Sequence, residues 1–73
     1  MAVFYVATTV DNKGENPEIV SLALSDIVCI TPCEKDLPHC CNIGTRSVGA
    51  WRILGTVEEH TKAIEAFRNA TSS

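Results

Sequence analysis

Helical periodicity occurs once in this chain, near its C-terminal end, and nearly everything before it reads as strand or turn. Val57, Ala63, Ile64, Phe67 and Ala70 share one stripe at spacings of three, four and seven residues, as in a helix with a single apolar face. Ahead of them, Thr56-Val57-Glu58-Glu59 is a capping box: the Thr56 hydroxyl accepts from the Glu59 amide while the Glu59 side chain reaches back. Glu58 stands four residues before Lys62, the orientation in which an ion pair supports a helix. The pattern predicts a helix from 57 to about Asn69, with 71–73 frayed.

The strand signals are as regular. Residues 3–10 are β-branched, aromatic or small with no breaker, which predicts a first strand. Turn formers fill 11–17, and Pro17 cannot donate to a ladder, so this stretch should loop out between antiparallel strands. From Ile19 onward Val20, Leu22 and Leu24 alternate with Ser21, Ala23 and Ser25, the period of a half-buried strand. Ile27-Val28-Cys29-Ile30 is apolar throughout, predicting a strand buried on both sides and ended by Thr31-Pro32. Residues 32–39 carry two prolines and three charges and read as a loop, after which Cys40 to Thr45 can return antiparallel. Ser47 to Ala50 suggests a bend or bulge, and Trp51 to Leu54 a last short strand. Trp51, the largest apolar side chain, is expected to anchor the helix to the sheet. Strands followed by one helix predict an α+β domain, an antiparallel sheet of about four strands with the C-terminal helix packed on one face. Residues 1–73 form that single domain.

Such a chain has room for one core, and domains this short usually need a crosslink, a metal or a partner subunit to stay folded. The first strand sharpens the point, because Val3, Tyr5 and Ala7 lie on one side and Phe4, Val6 and Val10 on the other, whereas one helix covers only one side. Each large apolar side chain contributes roughly 1.5 to 3 kcal/mol when buried. A second copy is the expected cover, most simply in a twofold dimer, with Val3, Phe4, Tyr5 and Val6 as the candidate oligomer interface.

Formal charge is −3, so the long-range field opposes nucleic acid and anionic membrane surfaces. Arg46 and Arg52 remain as candidate nucleic-acid contacts along one strand face. The opening residues lack a charged leader and a long apolar run, so they read as part of the mature fold. The expectation is a cytoplasmic protein without a membrane segment.

Chemistry concentrates in four cysteines within thirteen residues, Cys29, Cys33, Cys40 and Cys41, with His39 beside the adjacent pair. Cys29, Cys33, His39, Cys40 and Cys41 supply enough donors for zinc, but only the first two approach the usual knuckle spacing, and adjacent Cys40 and Cys41 diverge in an extended segment. If the hairpin forms, Cys29 lies close to opposite Cys41, within reach of a cross-strand disulfide. Unmodified thiols are the third alternative. His39 beside Cys40 could suggest a nucleophile and its base, yet sequence neighbours seldom meet in that geometry. His60, at the edge of the helical stripe, reads as a boundary residue packing its ring. No cofactor or catalytic residue is implied.

The run from Ile19 to Ile30, then Asn42-Ile43-Gly44-Thr45, then Leu54-Gly55-Thr56-Val57-Glu58-Glu59 resembles the first half of a LytTR-type DNA-binding domain, a β-rich module of bacterial regulators. The resemblance covers about half the chain and implies a DNA-binding transcriptional regulator. The family's basic DNA-contacting strand and loop have no counterpart after Phe67, so none of its functional residues carries over. The residues themselves point first to a non-enzymatic binding or regulatory protein that self-associates through its sheet. A nucleic-acid-binding regulator and a cysteine-based redox or metal switch are the alternatives.

Overall fold

A computed structural model describes residues 3–33, 35–37 and 39–72, except the side chains of Thr71 and Ser72. Five strands, β1 (Phe4–Thr9), β2 (Glu18–Ala23), β3 (Ile27–Pro32), β4 (Cys40–Thr45) and β5 (Gly49–Leu54), precede one helix, α1 (Val57–Ser72). They form one antiparallel sheet in the order β2-β1-β5-β4-β3. The expected α+β class is therefore present, with one strand more than the approximate count and a helix continuing through Ser72.

Turn chemistry fixes the first hairpin. Asp11 Oδ1 accepts from the Lys13 and Glu15 amides at 2.9 and 2.8 Å, and its Oδ2 accepts from Asn16 Nδ2 at 2.7 Å. These donors, led by the Glu15 amide, then Asn16 and Lys13, lower the Asp11 pKa by favouring the ionised carboxyl. At the β4–β5 turn, Thr45 Oγ1 donates to the Gly49 carbonyl at 2.7 Å, and Gly49 takes φ +88°, open to glycine without a Cβ penalty. A 3₁₀ turn, Leu24–Asp26, joins β2 to β3. Its Asp26 carboxylate accepts from the Ser47 amide and hydroxyl, tying that connection to the β4–β5 turn.

The seam between β1 and β5 is narrow. It consists of the Thr9–Ile53 bridge, a 3.0 Å bond from the Val10 amide to the Arg52 carbonyl, and a 2.9 Å bond to that carbonyl from Thr9 Oγ1. The first half of β1 therefore runs past the end of β5, where the start of α1 meets it.

One face of the sheet meets α1. Tyr5, Ala7, Leu22, Cys41, Ile43 and Ile53 are buried there with Ile64 of the helix, and Trp51, Val57 and Ala63 pack around them. Trp51 lies half-buried at the edge of this core. Thr56 Oγ1 accepts from the Glu59 amide at 3.2 Å, and Glu58 pairs with Lys62 at 3.1 Å on the surface.

Two strand expectations need correction. β3 is an edge strand, not a doubly buried one: Ile27 is buried, but Val28 and Cys29 are exposed. An unbroken apolar run specifies β structure but not its position in the sheet. The strand also continues through Thr31 and Pro32, because a free edge requires no amide donor from proline. The bulge lies between Ile27 and Cys29, while Ser47 and Val48 form part of a turn.

Candidate functional site

Strand alternation sends Phe4, Val6 and Thr8 of β1 away from the helix, with their partners Ala23, Ser21 and Ile19 of β2. Across the β1–β5 seam the same face carries Leu54, Arg52 and Ala50, then Cys40, Asn42 and Gly44 of β4. Four large apolar side chains lie open on it: Phe4 is 55% exposed, Val6 62%, Ile19 79% and Leu54 47%. Arg52 is the only Asp, Glu, Lys or Arg among these twelve described positions, in a chain that is 21% charged. Its Nε is buried with no hydrogen-bond partner among the described residues.

This arrangement divides the expected interface. Phe4 and Val6 lie on the open face, but Tyr5 is buried beneath the helix and Val3 packs at the core edge. The reason is β alternation: four consecutive strand residues cannot share a face. Ile19 and Leu54 escaped the sequence reading. Each stands one position from a core-facing residue, Val20 or Ile53, and that alternation was the available signal.

Tyr5 has a specific covering group. Its hydroxyl lies 2.5 Å from His60 Nδ1, and His60 Nε2 lies 2.7 Å from the Leu54 carbonyl. A carbonyl only accepts, so Nε2 carries a proton and the neutral ring's Nδ1 accepts from Tyr5. His60 therefore links β1, the end of β5 and α1. Burial, followed by the fields of Cys41 and Glu59, raises the Tyr5 pKa. The rings of His60 and Phe67 both stand edge-on to Tyr5, with centroids 5.7 and 5.9 Å away.

All four cysteines are free. The register sets Cys29 opposite Gly44 and Cys41 opposite Pro32, placing Cys29 and Cys41 on opposite sheet faces. The Cys29–Cys41 bridge, one of the alternatives for these thiols, does not fit this register, in which the two residues are not opposite each other. Cys29 lies over Gly44, where an added Cβ would come within 2.7 Å of its Sγ. Among the described residues, no three His, Cys, Asp or Glu groups converge on a cation position, the candidate donors Cys29, Cys33, His39, Cys40 and Cys41 included. Burial, then the neighbouring Cys33, raises the Cys40 pKa against a smaller opposing effect of Arg52. Cys41, with no exposed surface, is pushed to about 11, chiefly by burial and then by Cys33, Cys40 and Glu59. Burial thus disfavours the thiolate form of both. His39 is exposed while Cys40 is buried.

Arg46 lies in the β4–β5 turn and Arg52 within β5, so no single strand carries both candidate nucleic-acid contacts. A cleft of about 220 Å³ between β3 and α1 is lined by Ile27, Ile30, Thr61, Ile64, Glu65 and Arg68, among others. It falls below the usual volume of a small-molecule pocket, roughly 300 Å³ and above. No helix among the described residues is long and apolar enough to cross a membrane.

No known protein family matches this chain, and neither a curated protein sequence nor a solved structure does.

Proposed function

We propose that this chain is a non-enzymatic binding module that self-associates by packing the open faces of two sheets together. The supporting observation is the patch formed by Phe4, Val6, Ile19 and Leu54, each about half exposed or more, on a face with one formally charged residue. Phe4 alone leaves roughly 100 Å² uncovered. The largest apolar patch on an ordinary monomer is about 300 to 600 Å², and this face has Ala23 and Ala50 to extend the four large side chains.

A second copy fits the surface. Two sheets pack face to face about 10 Å apart when their inner side chains interdigitate, and the small residues Ala23 and Ala50 leave hollows for larger ones. The resulting assembly has helices outside and two sheets within. A twofold contact of this kind uses the same patch on both subunits. Thr8, Ser21, Asn42 and Arg52 supply the polar groups that commonly surround an apolar interface centre. Sedimentation velocity over rising concentration tests the proposal: a doubled mass supports it, and a single-copy mass throughout the range rejects it.

The LytTR-like alternative would use the basic groups on DNA, but the net charge of −3 and the separate placement of Arg46 and Arg52 favour the self-associating module.

A further inference from the structure

The β3–β4 hairpin organises its thiols more selectively than their clustering suggests. β3 ends at Pro32, which pairs with Cys41; continued one step past the strand's end, that antiparallel register would bring Cys33 opposite Cys40. Directly opposed residues have Cα atoms about 4.5 to 5.5 Å apart, inside the disulfide window of roughly 4.4 to 6.8 Å. The Cys33 thiol already leans over β4, donating to Asn42 Oδ1 at 3.6 Å. Asn42 lies two positions from Cys40 on the same face.

The other pairings meet geometric obstacles. Cys29 pairs with Gly44, four residues along β4 from Cys40, a separation of about 13 Å at the strand rise. Cys41 points into the core beneath the helix. We propose that Cys33 and Cys40 form a reversible intramolecular disulfide, closed by exchange with a small-molecule disulfide and opened by a thiol, that staples β3 to β4 at the rim of the open sheet face.

The exposures assign the order of steps. Cys33 is half-buried and Cys40 buried, so the Cys33 thiolate attacks the small disulfide first. One sulfur of the reagent joins Cys33 and the other leaves as a thiolate. Cys40, after losing its proton to solvent, attacks the Cys33 sulfur and expels the second small thiolate. Two protein thiols are oxidised, one small disulfide is reduced to two thiols, and the two released protons complete those thiols. The bridge forms beside Leu54, the strand partner of Cys40, linking the thiol state to the margin of the apolar patch.

The test treats the full-length chain with oxidised glutathione, quenches it in acid and maps its peptides by mass spectrometry. The expected product has lost two hydrogen atoms and carries a Cys33–Cys40 crosslink, with Cys41 unmodified; Cys29→Ser closes the same ring. Cys33→Ser and Cys40→Ser, each confirmed folded by circular dichroism, fail to close it, and Cys40→Ser retains glutathione on Cys33. A ring through Cys29 or Cys41 would overturn the proposal, as would glutathione accumulation on separate cysteines without ring closure.

Discussion

Val6→Lys examines the proposed interface while leaving the protomer core in place. Val6 is 62% exposed, so covering the remainder of its side chain stabilises an assembly by about 1 to 2 kcal/mol per copy. A symmetric contact counts the residue twice, giving about 2 to 4 kcal/mol before charge is considered. Two lysines brought toward one seam add repulsion and desolvation. The substitution should therefore weaken self-association at least roughly thirtyfold, while protomer stability changes by less than about 1 kcal/mol, the span of β propensity. Dilution calorimetry gives the dissociation constant, and urea unfolding at a concentration where both proteins are single copies gives protomer stability. An unchanged dissociation constant in a folded Val6→Lys protein would refute the interface. Val6→Thr, which keeps β-branching but exchanges a methyl for a hydroxyl, should fall between wild type and lysine.

Tyr5→Phe removes the hydroxyl donated to His60 Nδ1 and should cost about 1 kcal/mol, measured by urea unfolding. Gly55→Ala should cost about 1 to 3 kcal/mol, because Gly55 has φ +114° and an added Cβ would lie 2.5 Å from His60 Nε2; unchanged thermal stability would contradict that close approach. The folded Cys41 pKa, raised from 9.0 to about 11, gives stability fully present below pH 9 and lost as pH rises through 11. The loss should be on the order of 2 kcal/mol, and Cys41→Ala should flatten that component in urea titrations at successive pH values. Closing the eight-residue ring from Cys33 through Cys40 should stabilise the fold by about 2.5 kcal/mol, read as the difference between oxidised and reduced protein in urea.

Local patterns carried much of the fold because each had a nearby physical cause. Thr56 caps a helix beginning at Val57, and turn formers gather around Asp11. The alternation from Val20 through Leu24 identifies a strand with one core face. Sheet order was less legible: Ile27 to Ile30 has the same apolar run whether central or peripheral, and only pairing establishes β3 as an edge. Register decides the thiols similarly, separating Cys29 from Cys41 and bringing Cys33 toward Cys40, a one-residue choice that composition cannot make. The open face was half legible. Phe4 and Val6 were visible as residues needing cover, but joining Ile19 and Leu54 to them required the order β2-β1-β5. His60 was read only as a boundary ring because its partners, Tyr5 and the Leu54 carbonyl, come from separate strands.

Isotope-filtered NMR on an equal mixture of labelled and unlabelled chains, kept reduced, observes the proposed contact directly. Cross-copy proton contacts from the Phe4 ring and Val6 methyls to Ile19 or Leu54 of the other copy are predicted. Their absence at millimolar concentration, or cross-copy contacts confined to α1, would contradict the account.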